Sequence, residues 1–126
     1  MRMKNAFTML EITFVIVIIG ILSAIAIPKF AATRDDALVA KGRADVAALR
    51  SALATERQKR ILKGKFDRVT GDDLVDLIEY PLGDNWSQSG DTFTYTINVG
   101  SCTFKIPSNE NKLKKDSCTI TGMDDL

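Results

Sequence analysis

The chain has 126 residues, 45% of them hydrophobic, with 17 lysines and arginines against 16 aspartates and glutamates and a net charge of +1. It contains no histidine and only two cysteines. Histidine-based acid–base catalysis is therefore excluded, and two thiolates alone do not build a zinc site. There is no phosphate-cradling glycine loop and no G-x-S-x-G elbow, and adjacent acids such as Asp35-Asp36 and Asp72-Asp73 read as solvated pairs, so the chain is not read as an enzyme.

The chain opens with Arg2 and Lys4 and has no acid among its first six residues. From Phe7 to Pro28 it then reads FTMLEITFVIVIIGILSAIAIP, 22 residues with a single charge, Glu11. As a helix, Phe7 to Ile27 spans about 31 Å, enough to cross a hydrocarbon core. Lipid offers the backbone no hydrogen bonds, so a helix forms despite the many β-branched residues. A carboxylate in such a span costs about 2.5–3.5 kcal/mol, judged from insertion scales for aspartate. Glu11 is either an interfacial residue that snorkels out or a group with a partner. The basic leader keeps the N-terminus cytoplasmic and sends the rest across the membrane. A secretory signal peptide cut near Ser23-Ala24-Ile25-Ala26 would share that leader, but the apolar run is longer than a signal core and flows into more helix-like sequence.

Beyond Pro28 the pattern stays helical to about Leu62. Val39, Gly42, Val46, Leu49 and Leu53 draw an apolar stripe three and four residues apart, and Lys63-Gly64 suits a helix end. The remaining residues, 65–126, are few for an independent core and borrow that stripe. Thr70 is placed to cap a short helix carrying Leu74, Leu77 and Ile78, ended by Pro81. Gly83-Asp84-Asn85 and Ser89-Gly90-Asp91 read as turns on either side of Trp86. Strict alternation from Thr92 to Val99 puts Phe93, Tyr95, Ile97 and Val99 on one strand face. Gly100-Ser101 fits a two-residue hairpin turn, Cys102–Ile106 a second strand, and Leu113–Ile120 a third. The expected fold class is α+β: a long N-terminal helix, its first half membrane-spanning, packed against a C-terminal antiparallel sheet of about three strands. Cys102 and Cys118, on the exported side, pair most simply as a disulfide, with two reduced thiols as the alternative.

The charge is unevenly spread. Lys29–Lys65 carries ten basic and four acidic residues, net +6, and Phe66–Leu126 five basic and eleven acidic, net −6. A basic stem and an acidic head suit packing of copies against one another.

The N-terminal residues resemble the signature of type IV pilins and type II secretion pseudopilins. The matching positions are Lys4, Ala6, Phe7, Thr8, Met9, Leu10 and Glu11, with Gly20 and Pro28 further on, and they cover about the first 30 residues. The resemblance implies a leader, 1–6, removed by a prepilin peptidase between Ala6 and Phe7, with methylation of the new Phe7 amine. The family usually has glycine where this chain has Ala6. It also implies a transmembrane and filament-core helix (7–28), its amphipathic continuation (29–64) and an exported head (65–126). In that family the glutamate meets the N-terminal amine of a neighbouring subunit, so Phe7 and Glu11 become the assembly pair. Gly20 and Pro28 are then either a kink tolerated in lipid or the place where the helix unwinds on packing; the resemblance supports the second. The implied partners are copies of the chain in a helical filament, minor pilins, the assembly platform and the bacterial inner membrane. The filament is either a surface pilus or a periplasmic pseudopilus of a secretion or DNA-uptake system. A monomeric anchored binding domain is the reading from another class.

Three further expectations follow from that resemblance. The Cys102–Cys118 bridge would enclose Ile106–Lys115 as a candidate contact loop. The basic run Arg57, Lys59, Arg60, Lys63 and Lys65 is a candidate for DNA phosphates. Asp84, Asp91, Asp124 and Asp125 are candidate calcium ligands, although no compact acidic loop is visible.

Overall fold

The computed structural model describes residues 6–78 and 81–126. Its elements are α1 (Met9–Leu62), α2 (Gly71–Leu77), β1 (Trp86–Ser89), β2 (Thr92–Ile97), β3 (Gly100–Lys105) and β4 (Lys114–Cys118). The fold is α+β, and the strands form one antiparallel sheet in the order β1-β2-β3-β4. The chain divides into two compact units, Met1–Arg34 and Asp35–Leu126. The leader residues before Ala6 lie outside the described residues.

In the second unit the helical stripe is the floor of the core. Val46, Leu49 and Leu53 are buried with Phe93, Tyr95, Phe104, Ile106 and Ile120. Gly42 is buried in the same stripe because the Tyr95 ring occupies the space a side chain would need: a Cβ there would lie 2.6 Å from Tyr95 Cε1. The Tyr95 hydroxyl donates to the Leu38 carbonyl at 2.7 Å, and burial pushes its pKa up. Trp86 lies 4.9 Å from Tyr95, centroid to centroid, and donates its indole N–H to Asp45 at 2.9 Å. The indole thus covers the core edge while its polar handle stays satisfied.

The helix ends follow their residues. At the C-terminus of α1, Gly64 adopts φ 71°, its N–H bonds to the Ile61 carbonyl, and the Lys65 N–H bonds to the Arg60 carbonyl. This is a Schellman closure, which needs a residue tolerant of the left-handed region. Thr70 caps α2 in a reciprocal box with Asp73, and Asp73 also meets Arg60 of α1 at 3.1 Å.

Two strand assignments differ from those read from the sequence. The sheet has four strands rather than about three, because Trp86–Ser89 pairs with β2. That segment shows no apolar alternation, so only its partner identifies it as a strand. The β2–β3 turn is Asn98-Val99 rather than Gly100-Ser101, since Ile97 faces Gly100 across the hairpin. Gly100 is drawn into the strand by close packing, where a Cβ would come 2.6 Å from Thr119 Oγ1. Val99 consequently leaves the buried face and is 50% exposed.

Cys102 and Cys118 are directly paired across β3 and β4 and form the disulfide. Closing a loop of this size contributes about 3 kcal/mol in the chain-entropy model. The enclosed segment is less free than expected, because Ile106 and Leu113 are both core residues.

A polar node joins α2 to the sheet. Arg68 pairs with Asp91, whose other oxygen accepts the Gly71 N–H at 2.8 Å. The Arg68 guanidinium, and after it the Gly71 N–H, hold Asp91 below the usual carboxylate range. The Thr70 backbone N–H, then its hydroxyl, do the same for Asp73. Carboxyls lowered in the folded chain stabilise it above their unfolded value of about 3.9, and this is lost as pH falls through the lowered values. Thermal stability is therefore expected to decline from about pH 4 downward on this account. Asp91→Asn should lower the neutral melting temperature and flatten that acid limb. Melting followed by circular dichroism from neutral to acid pH checks this, and an equally steep acid limb in the variant would exclude Asp91 as a source.

Candidate assembly site

The first unit contains the segment expected to span a membrane. α1 begins with a helical stretch long and apolar enough to cross a bilayer, and that window buries none of itself within the chain. Phe14 is 66% exposed and Leu22 is 61% exposed. Apolar surface on this scale is left bare only where lipid or other chains cover it.

The start of the helix is built by Thr8 and Glu11. The Thr8 hydroxyl accepts the Glu11 N–H at 3.2 Å, and the Glu11 carboxylate accepts the Thr8 N–H at 3.0 Å and the Thr8 hydroxyl at 3.2 Å. This is a capping box: two helix-end donors that have no intrahelical acceptor are satisfied reciprocally. Its spacing, Thr-x-x-Glu before an apolar run, is a local sequence signal, whereas the family resemblance marks Thr8 only as a matching position. The box lies wholly beyond the Ala6–Phe7 bond, so removal of the leader would leave both members in place.

A shallow groove beside the box is lined by Phe7, Glu11, Ile12, Val15 and Ile16. Glu11 is the one charge among these five, so the groove offers an apolar strip with an anion at one edge. Ala6 and Phe7 are exposed and precede the helix.

Gly20 and Pro28 both lie inside α1, and helix is assigned through both. A Cβ at Gly20 would meet nothing within 4 Å, so no packing within the chain explains this glycine. Pro28 has no N–H, which leaves the Ala24 carbonyl without its intrahelical donor. The Ser23 hydroxyl nearby donates to the Ile19 carbonyl at 2.7 Å.

The other candidate sites are dispersed or engaged. Asp91 is held by Arg68, Asp125 by Arg43, and the Asp124 carboxylate accepts the Gly122 N–H at 3.1 Å. Among the described residues no group of three or more acids, cysteines or histidines gathers around a point, and Asp84, Asp91, Asp124 and Asp125 are not brought together as one group. In the basic run, Lys59 and Arg60 are paired with Glu56, whereas Arg57, Lys63 and Lys65 have no ion-pair partner among the described residues. Part of the stem-to-head charge complementarity is spent within one chain, through Arg43–Asp125 and Arg60–Asp73.

Comparison with known proteins points the same way. The chain is 39% identical over 110 residues to the type IV narrow pilus major component PilA5 of Thermus thermophilus, covering 84% of this chain and 88% of the relative. It is 30% identical over 93 residues to the type II secretion system core protein G of Pseudomonas aeruginosa, covering 71% of this chain and 63% of that protein. No family model and no solved structure matches. A 110-residue match extends well beyond the 54 residues of α1, so the likeness is not confined to the apolar segment. With the bare apolar helix start and the capped Glu11, this establishes that the chain belongs to the type IV pilin and pseudopilin family.

Proposed function

We propose that the chain is a structural subunit of a type IV pilus-like filament rather than an enzyme. It is held in the bacterial inner membrane by residues 7–28, with its N-terminus cytoplasmic and its head exported, until it polymerises through that helix. The observation that carries the reading is the uncovered apolar surface of α1 with one charge at its start. Prepilin peptidase cuts between Ala6 and Phe7, and the freed, methylated Phe7 amine of one copy pairs with Glu11 of a neighbour. Apolar packing is non-directional, whereas an ion pair in low dielectric rewards one axial register. Residues around Gly20 and Pro28 are the helix segment that unwinds as copies pack, since the Ala24 carbonyl already lacks its donor there. A surface pilus is favoured over a secretion pseudopilus by the higher identity and fuller coverage of the pilus relative, 39% over 88% of it against 30% over 63%.

Intact mass and N-terminal sequencing of the protein recovered from its own membrane test the reading. N-methylphenylalanine at residue 7 is expected. Retention of Met1, or a start after Ala26, would remove the amine on which Glu11 depends and overturn the proposal.

A further inference from the structure

The two ends of the unit from Asp35 to Leu126 differ in the charges they leave without an ion-pair partner among the described residues. β2 runs back along α1: Asp91, just before it, is bound at Arg68 and Gly71, beyond the Leu62 end, and Tyr95 reaches Leu38 near the Asp35 end. The Leu62 end exposes Leu62 (88%) and Phe66 (81%). Around them stand Arg57, Lys63 and Lys65 and one acid, Asp67, none of them ion-paired among the described residues; Lys65 and Phe66 line one indentation together with Arg57 and Asp67. The Asp35 end exposes Asp84, Asp124 and Val99, and its cations are engaged: Lys41 by Asp45, Arg43 by Asp125 and Lys115 by the Asp124 carbonyl. Asp84 follows Gly83, which lies against the Lys41 side chain, and Asp124 follows Met123, which lies against Gly42. Neither aspartate has an ion-pair partner among the described residues.

We propose that the Leu62 end of one head docks on the Asp35 end of a second copy, with Leu62 and Phe66 against Val99 and with Lys63 and Lys65 facing Asp84 and Asp124. The inference rests on the filament reading above. Copies inserted in a membrane with one polarity and stacked along an axis bring unlike ends together. A contact between two different surfaces does not close on itself and so repeats along a filament. Lysines without an ion-pair partner at one end and aspartates without one at the other favour the unlike pairing over the symmetric pairing of like ends. The apolar residues give the contact its burial and the charges its orientation.

The test uses the full chain in its native assembly system. Lys63→Glu with Lys65→Glu is expected to reduce sheared filament about tenfold. Adding Asp84→Lys and Asp124→Lys to the same chain should restore most of that yield. Independently, a chain carrying Phe66→Cys and Val99→Cys should give a ladder of cross-linked copies when filaments are oxidised. An undiminished yield in the glutamate variant, or monomer alone after oxidation, overturns the docking. The same holds if that variant keeps its filaments but loses binding to short duplex DNA, which would assign this end to nucleic-acid phosphates. Absence of sheared polymer from the unaltered chain would instead defeat the filament reading itself.

Discussion

Glu11→Ala is expected to yield a protein that inserts, loses its leader after Ala6 and then fails to polymerise. The neighbour's amine would enter the apolar contact without a counter-charge. Breaking such a buried pair from one side costs about 3–5 kcal/mol, or roughly two to three and a half powers of ten in an association constant. The alanine also removes the acceptor for the Thr8 N–H and hydroxyl, so a second variant must separate charge from capping. Glu11→Gln keeps a capping-box oxygen in place, since glutamine serves at that position, but carries no charge. Sheared-filament yield should therefore be as low for Glu11→Gln as for Glu11→Ala. Wild-type yield in the glutamine variant would reduce Glu11 to a helix cap.

The largest effect on stability is expected at Gly71. A Cβ there would lie 2.1 Å from the Gly90 carbonyl oxygen and 3.0 Å from Asp91 Cα. Both obstacles are backbone, so no side chain can swing aside. Relief requires moving the β1–β2 turn, and that displaces Asp91 from the Gly71 N–H and from Arg68. Overpacking of this kind costs about 3 kcal/mol, which for a domain of this size lowers the melting temperature by about 12 °C or more. Gly20→Ala is the matching control: with nothing within 4 Å of its Cβ, it should leave the head's melting temperature unchanged. Melting of both full-length variants in detergent, followed through the head's circular dichroism, decides it. A Gly71→Ala chain as stable as wild type would mean the turn yields freely.

The helix was legible in the sequence because its signals are local, whereas the Thr8–Glu11 box at its start went unread although its spacing is local too. Apolar length marks the membrane segment, three-and-four spacing marks the stripe from Gly42 to Leu53, and Gly64 and Thr70 mark helix ends by their own conformational chemistry. β1 was not legible, because Trp86–Ser89 is a strand only by virtue of lying beside Tyr95–Thr92. The turn at Asn98-Val99 was misplaced by two residues because glycine is an ordinary turn signal, and nothing local reveals that Thr119 packs against Gly100. The partition of charge was legible only as a sum. Which arginines are consumed by Asp125 and Asp73, and which lysines remain unpaired at the Leu62 end, depends on contacts across tens of residues.

The two outer strands of the sheet have a bearing on what happens when many heads are crowded together. β1 has four residues and β4 carries Lys114, Lys115 and Asp116 within its five. Short length and repeated charge are the means by which an open sheet edge is kept from recruiting another chain's backbone. Cys118 further ties β4 to Cys102 of β3, so that strand cannot peel away to expose a longer edge. A polymer of such units would hold its sheets at very high local concentration without letting them merge. Growth by ordered side-chain contacts would then remain separate from growth by strand addition, the route to amyloid.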